Sequence, residues 1–105
     1  MSTDCPVTRA WRILGKPWRL VIIDRLREGP RSFNQLLHSM PGISSRTLSK
    51  ALRELQSAGM ITMINTEKGH LYALTDMGKD LDPIVNAVRE WSNKWLSKTT
   101  NNEHG

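Results

Sequence analysis

The chain has 105 residues, a formal net charge of +5 at pH 7 and a single cysteine. This length predicts one domain with a modest core, and one cysteine excludes an internal disulfide. No apolar run approaches the length of a membrane span, no signal-peptide pattern is present, and no His or Cys spacing is typical of a zinc site. We therefore expect a cytoplasmic protein without membrane contact, metal or cofactor.

The first part of the chain predicts three short helices. Each is opened by a residue typical of a helix start: Pro6, Pro17 and Ser32. Glycines end the first two, at Gly15 and Gly29. The second helix has apolar residues on so much of its surface, including Trp18, that we expect it to be largely buried. The third is expected over residues 33–40.

Residues 44–58 predict a fourth helix with two different faces, for which Ser44 is the expected N-cap. Apolar residues recur at helical spacing on one side: Leu48, Ala51, Leu52 and Leu55. Another face carries cations and small hydroxyls: Ser45, Arg46, Thr47, Ser49, Lys50 and Arg53. Arg and Lys bind phosphates and guanine edges, and small hydroxyls do not block approach. This face suits a nucleic-acid groove, and the alternative is an ordinary solvated helix face.

The elements around this helix predict a winged helix-turn-helix. A short turn, Pro41-Gly42-Ile43, separates the third and fourth helices. After Gly59, two short β-prone segments over 60–65 and 71–74 flank a glycine-containing turn. A basic-faced helix followed directly by a hairpin is the order of elements in a winged helix. The expected fold class is therefore mainly α with a small β-hairpin (α+β), with additional N- and C-terminal helices.

Positive charge is concentrated in the middle of the chain. From Gly29 to Arg53 there are four cations and no acid, whereas the signs are mixed from Met77 to Trp91. A polyanionic partner is therefore expected, the alternative being that the charge serves solubility alone. We predict that a second set of residues, most of them outside the fourth helix, contacts DNA phosphates: Arg31, Ser32, Asn34, Arg53, Lys68 and His70.

The last helix carries a long apolar stripe. Thr75 is expected to cap a helix, which Pro83 kinks or starts afresh with Asp82 as its cap. Six apolar residues then share one side: Leu81, Ile84, Val85, Val88, Trp91 and Trp95. One small domain cannot cover this stripe, so we weigh packing on the first helix against a subunit interface. We predict a homodimer interface formed by the terminal helices: Val7, Trp11, Ile84, Val88, Trp91 and Trp95.

Three further predictions concern the tryptophans, the chain end and the DNA site. All four tryptophans fall at core-facing helical positions, which favours packing over a ligand pocket. Residues 1–97 are expected to form the DNA-binding and dimerisation domain, and the polar residues 98–105 a disordered tail. A dimer presents two copies of the fourth helix, so its DNA site is expected to be an inverted repeat.

An ordered series of short motifs resembles a known regulator family. The motifs are Cys5-Pro6-Val7, Leu14–Trp18, Gly29–Leu36, Pro41–Ser44, Leu52–Leu55, Tyr72–Thr75 and Gly78. Over about residues 5–95 they are similar to those of the HxlR-type transcription regulators, within the MarR-like winged-helix superfamily. The resemblance implies a prokaryotic, non-enzymatic homodimer that binds duplex DNA to control transcription. The alternative is a winged-helix protein–protein adaptor; a small enzyme has no residue set in its favour.

The resemblance also concerns Cys5 and the wing. In some members of the family the matching cysteine senses oxidants or electrophiles, and a thiol at a helix N-terminus has a lowered pKa. The alternative is an idle cysteine near the terminus, and any small-molecule effector is left open. The short turn over 66–70 departs from the family, which often has a longer, Pro-rich wing ending in Arg.

Overall fold

The computed structural model describes residues 5–96. Over this range the chain forms six helices and one two-stranded antiparallel sheet: α1 (Pro6–Leu14), α2 (Arg19–Leu26), α3 (Phe33–Ser39), α4 (Ser45–Ser57), β1 (Ile61–Thr66), β2 (Gly69–Leu74), α5 (Asp76–Lys79) and α6 (Asp82–Trp95). This is the predicted α+β winged helix-turn-helix with additional terminal helices. The predicted disordered tail lies outside the described residues.

Local capping signals account for most helix starts. The Ser32 hydroxyl accepts from the backbone N–H of Gln35 at 3.1 Å, and the Gln35 side chain accepts from the backbone N–H of Ser32 at 2.8 Å. This reciprocal capping box satisfies two N–H groups that α3 cannot pair internally. Ser44 and Thr75 cap α4 and α5 through side-chain hydrogen bonds of the same kind. These three of the four predicted caps are confirmed.

Two helix starts differ from the predictions. Trp18 has a φ of 73°, in the left-handed region, so α2 begins at Arg19 and Trp18 is not part of it. The predicted cap Asp82 is instead the first residue of α6, and Leu81 is the N-cap. The Asp82 carboxylate accepts from Nε of Arg27 at 2.6 Å, and this contact between helices replaces the capping role.

The hydrophobic core forms around α2 and α4. Its buried residues come from these two helices, from α1, α3, α6 and β1, and from the connections between them: Leu14, Ile22, Ile23, Leu26, Leu36, Met40, Ile43, Leu48, Ala51, Leu52, Leu55, Met60, Ile61, Leu81 and Val85. All four residues of the predicted apolar face of α4 are among them. Because this face is completely enclosed, the opposite face of α4 is held toward solvent.

The hairpin is attached to the start of α3. Its register runs from the pair Ile61–Leu74 to the pair Thr66–Gly69 at the turn. Beside β2, Arg31 and Tyr72 exchange two backbone hydrogen bonds, of 2.9 and 2.7 Å. The residue before the α3 cap therefore serves as a short third strand, which fixes the wing relative to the helix-turn-helix.

An ionic network joins α6 to α2. Asp24 accepts from Arg25 at 2.9 Å and from Arg27 at 3.0 Å, and it also pairs with Arg89 of α6. Partial burial opposes ionisation of Asp24, but the hydrogen bond and charge of Arg89, together with Arg27 and Arg25, lower its pKa below the usual value. The Asp24 carboxylate is therefore more acidic in the folded chain than in the unfolded chain.

We expect the Asp24→Asn variant to lose stability at neutral pH. Because the folded-state pKa lies below the unfolded value of about 3.9, the contribution of Asp24 is present above that value and is lost as pH falls through the folded pKa. The variant should lose about 1–3 kcal/mol of unfolding free energy near pH 7, since three guanidinium groups lose the negative charge of their shared partner and one of its two acceptor oxygens. Denaturant titrations over a pH series would measure both effects.

Asp80→Asn is the matched control, because Asp80 is exposed and forms no ion pair within residues 5–96. The Asp24 variant should depend less steeply on pH below about pH 5 than the wild type. Equal pH profiles for the Asp24 variant and the wild type would show that the network adds nothing to acid stability.

Trp18 packs against the core as predicted, but the other three tryptophans do not. Trp11, Trp91 and Trp95 are 58%, 58% and 57% exposed, and Trp18 is half-buried. The helical wheel identified a common stripe but not a surface to cover it. In the single chain α1 and α6 each pack on α2, and the α6 residues Ile84, Val88, Trp91 and Trp95 stay exposed, so packing on the first helix does not cover the stripe. No helix within residues 5–96 has the length and apolar character needed to cross a membrane.

Candidate nucleic-acid interface

The outward face of α4 is a strip of exposed cations and hydroxyls. Arg46, Lys50 and Arg53 are exposed, as are the small residues between them: Ser45, Thr47 and Ser49. Within residues 5–96 none of these three cations forms an ion pair with a carboxylate. Their positive charge is therefore available to an external anion. The structure brings together every residue that the sequence predicted for this face.

The one acidic residue of α4, Glu54, is directed away from this strip toward the α1–α2 connection. Its carboxylate pairs with Arg19 and lies 3.6 Å from Nζ of Lys16. The hydrogen bond from Arg19 lowers the pKa of Glu54, and the charges of Arg19, Lys16 and Lys50 act in the same direction. The sequence pattern does not predict this pair, whose members are 35 residues apart; its local signal is an acid within an otherwise basic helix.

The first turn of α3 carries two of the predicted phosphate contacts. Asn34 is exposed, and Ser32 is half-buried with its hydroxyl oxygen accepting the capping hydrogen bond from Gln35. The Ser32 hydroxyl proton is not used by that bond and can be donated to a phosphate oxygen. Both side chains stand beside the unpaired N–H groups at the start of a helix, where anions are favoured.

Arg31 is held in contacts of its own. Its Nε donates to the carbonyl of Arg25 at 2.9 Å, and its Nη2 donates to Glu28 at 2.7 Å. Together with the backbone pairing to Tyr72, these bonds make Arg31 the attachment point of the wing. Its guanidinium is less available to phosphate than the cations of α4.

The tip of the wing is tighter than predicted. The turn between β1 and β2 contains only Glu67 and Lys68. The Thr66 hydroxyl closes it by donating to the carbonyl of Gly69 and accepting from the N–H of Lys68. Lys68 is exposed at this tip. The ring of His70 is hydrogen-bonded across the hairpin to Asn65, so His70 has a partner within the wing.

Cys5 is the N-cap of α1 and is exposed. Its Sγ accepts from the backbone N–H of Thr8 at 3.3 Å and lies 3.0 Å from the Thr8 hydroxyl. These hydrogen bonds, first that of the Thr8 side chain and then that of its backbone, lower the pKa of the Cys5 thiol. The direction agrees with the expectation for a thiol at a helix N-terminus.

We expect the Cys5 thiol to titrate below the value of about 8.5 that is typical of a free cysteine. Replacing Thr8 by valine removes the hydroxyl contact and should raise this pKa, whereas Thr47→Val, at the same position of α4, should leave it unchanged. Labelling rates with a thiol reagent across a pH series measure the value directly. A normal pKa in the wild type, with DNA binding unaffected by oxidants, would leave Cys5 without a sensing role.

The predicted interface residues form an exposed apolar surface on the two terminal helices. Large apolar side chains are exposed along α1, along α6 and at the residue after it: Val7, Trp11, Ile84, Val88, Trp91, Trp95 and Leu96. Single domains seldom leave so many large apolar groups in contact with water unless a partner covers them. No group of three His, Cys, Asp or Glu residues suited to a metal ion occurs within residues 5–96.

Comparison with known proteins agrees with this geometry. The model of the HxlR-like helix-turn-helix family matches residues 13–100. YvaP, an HTH-type transcriptional regulator of Bacillus subtilis, is 33% identical over 99 residues, which are 90% of this chain and 92% of YvaP. The solved reduced form of the transcriptional regulator YodB from B. subtilis is 26% identical, with a TM-score of 0.76 over 90% of this chain and 96% of YodB.

A MarR-family transcriptional regulator from Porphyromonas gingivalis W83 has a TM-score of 0.85 at 25% identity, over 91% of this chain and 97% of that protein. The family resemblance inferred from the motifs is therefore confirmed. This chain belongs to the HxlR-like helix-turn-helix family and carries the winged helix-turn-helix domain of transcriptional regulators.

Proposed function

We propose that this protein binds an inverted repeat in duplex DNA as a homodimer and thereby controls transcription. One observation carries the proposal: α4 has a completely buried apolar face and, opposite to it, three exposed cations that form no salt bridge with a carboxylate in the described residues. Such a helix can enter the major groove while the core holds it from behind. We call α4 the reading helix.

Within the reading helix, Arg46 is the proposed base contact. It is the second residue of α4, and the first turn of a recognition helix is where base edges are usually met. A guanidinium can donate two hydrogen bonds to O6 and N7 of guanine. Lys50 and the hydroxyls of Ser45, Thr47 and Ser49 line the same face, and Arg53 lies farther along for a phosphate.

The flanking elements supply the proposed phosphate contacts. Lys68 at the wing tip and Ser32 and Asn34 at the start of α3 are the candidates, with His70 as a further one. Arg31 supports the wing through its contacts with Glu28 and Tyr72, and we assign it a smaller part in the direct contacts with phosphate. Arg53 and Lys68 alone would give four phosphate contacts per dimer and a slope of about −3.6 in a plot of log K against log salt.

The homodimer is proposed to form through the exposed apolar surface of α1 and α6. Two-fold symmetry presents the two reading helices to one side of the DNA. Half-sites about 34–36 Å apart, one helical turn of DNA, would then match two successive major grooves.

A thiol response is proposed for Cys5. The exposed, hydrogen-bonded thiol supports it, and the relative YodB has a solved form described as reduced. Because the chain has no second cysteine, an oxidant that takes up two electrons and two protons could join Cys5 only to its counterpart in the second subunit or to a small thiol.

Sequencing the genomic fragments that the purified protein retains would test the function. The expected result is a common inverted repeat, bound with the steep salt dependence given above. The rival function is an adaptor that docks an acidic protein on the same helix. Retention of random fragments only, or of none at physiological salt, would contradict sequence-specific binding and favour the adaptor.

A further inference from the structure

The α1–α2 connection and the first residue of α2 contact the turn before the reading helix and the helix itself near its C-terminal end. A Cβ placed on Gly42, in the turn before α4, would lie 3.9 Å from Cη2 of Trp18, so the indole reaches this turn. The next residue, Arg19, donates from Nη2 to Glu54 near the C-terminal end of α4. One short segment therefore contacts both the turn that leads into the reading helix and the helix itself near its C-terminal end.

Arg19 is buried to an unusual degree for an arginine. It is 5% exposed, and its Nη1 donates to the carbonyl of Pro17 at 2.8 Å. Its Nε is buried and has no hydrogen-bond partner within residues 5–96, and Glu54 is the only carboxylate there that pairs with its guanidinium. A buried cation that loses its carboxylate is strongly unfavourable. Arg19 therefore holds Glu54, and with it α4, in one place.

The position of Glu54 on a DNA-facing helix points to the same role. A carboxylate on such a helix repels phosphates and would weaken binding. Here the carboxylate is engaged by Arg19, the first residue of α2, and lies 3.6 Å from Lys16 in the α1–α2 connection. Its place on α4 is explained by what it contacts inside the protein, and not by DNA.

The α1–α2 connection is constrained at both of its ends, at Trp18 and at Gly15. Trp18 is the only non-glycine residue with a positive φ in the described chain, a conformation that a bulky side chain adopts only when its surroundings enforce it. At Gly15 an added Cβ would lie 2.4 Å from Cδ1 of Trp11, so the Trp11 indole packs directly on the first residue of the connection. Trp11 belongs to the exposed apolar surface. A continuous series of contacts thus runs from that surface to the reading helix.

From these contacts we infer that Arg19 and Glu54 are positioning residues, which set the distance and angle between the two reading helices of the dimer. The inference rests on the proposed function, in which α4 reads DNA and the apolar surface forms the dimer. It assigns separate roles: Arg46 determines which base is preferred, and the Arg19–Glu54 pair determines which spacing between half-sites is accepted.

A series of operators with altered spacing tests the inference on DNA. The Glu54→Gln variant removes the charge of the pair, and Glu67→Gln at the exposed wing tip removes the same charge without breaking an ion pair. Wild type and Glu67→Gln should prefer one spacing by about tenfold over operators one base pair longer or shorter. Glu54→Gln should lose most of this preference while keeping its preference for the correct half-site bases.

A distance measurement tests the inference without DNA. In a Cys5→Ser background, Ser49→Cys carries a spin label on the exposed face of α4, and pulsed electron resonance gives the distance between the two labels of a dimer. The expected distribution is narrow, centred at about 34–36 Å. The additional Glu54→Gln change should broaden or shift it, and Glu67→Gln should not.

These measurements separate the different failures. A folded Glu54→Gln variant with the wild-type spacing preference and an unchanged distance distribution would overturn the inference. A wild type without any operator preference, but with a distribution that broadens on Glu54→Gln, would overturn the proposed reading of DNA and leave the positioning role standing. If circular dichroism shows Glu54→Gln to be unfolded, Glu54→Asp retracts the carboxylate by one methylene and should shift the preferred spacing; an unchanged preference would again overturn the inference.

Discussion

Replacing Trp91 by aspartate is expected to convert the protein from dimers to monomers. The Trp91 side chain is 58% exposed on α6, between Val88 and Trp95 on the same stripe. Large aromatic side chains that become buried within an interface often contribute about 2–4 kcal/mol or more, which is about 30-fold to 1,000-fold in the dissociation constant. Two-fold symmetry places the change in the interface twice, and each aspartate would also have to lose its hydration.

Analytical ultracentrifugation over a micromolar concentration series would measure the effect. Met77→Asp is the matched control, because Met77 is a similarly exposed apolar residue on α5 and belongs to neither terminal helix. It should remain dimeric. A monomeric wild type at micromolar concentration, or a Trp91 variant that dimerises normally, would show that this surface has another use.

The second large effect is expected at Arg46. Losing a bidentate contact with guanine should remove about 1–3 kcal/mol of discrimination between operator and random DNA. Arg46→Ala should therefore bind operator far more weakly, with a much smaller change on random DNA. Arg46 is exposed and pairs with no carboxylate in the described residues. Removing its side chain therefore breaks no ion pair within the fold, and a loss of binding can be assigned to the contact with DNA.

Lys68→Ala provides the contrast. A phosphate contact carries no sequence information, so this variant should weaken binding to both DNAs alike and reduce the salt slope by about one for each lost contact. Binding curves for both variants on both DNAs at several salt concentrations make the comparison. Equal losses on the two DNAs for Arg46→Ala would mean that α4 is not the reading helix, and no loss in either variant would favour the adaptor.

Most of the helix-turn-helix could be predicted because its signals are local. Ser32, Ser44 and Thr75 cap helices through hydrogen bonds to residues three positions later, so their role can be recognised in a short window of sequence. The buried stripe of α4 follows from helical periodicity in the same way. Three of the four predicted strand ends lie one or two residues from those observed, and the end at Leu74 coincides. A glycine turn indicates that a hairpin is present better than it indicates where the strands begin and end.

Errors arose where a residue is held by a distant part of the chain. The apolar spacing assigns Trp18 to the second helix, but its backbone is left-handed and its indole reaches the turn before α4. Arg31 stays a predicted phosphate contact, but its residue type does not reveal that its backbone pairs with the distant Tyr72 and its side chain with Arg25 and Glu28. A residue type and its spacing do not reveal such partners.

The sequence by itself determined the order of elements, the caps and the two faces of α4, because each depends on interactions within one or two helical turns. Only the tertiary structure decided which charges remain available. Arg19 meets Glu54 across 35 positions and Arg89 meets Asp24 across 65, and both acids are thereby directed to internal partners. Burial of the core decides these pairings, since it brings together side chains that are remote in sequence, and it leaves Arg46, Lys50 and Arg53 exposed for an external anion.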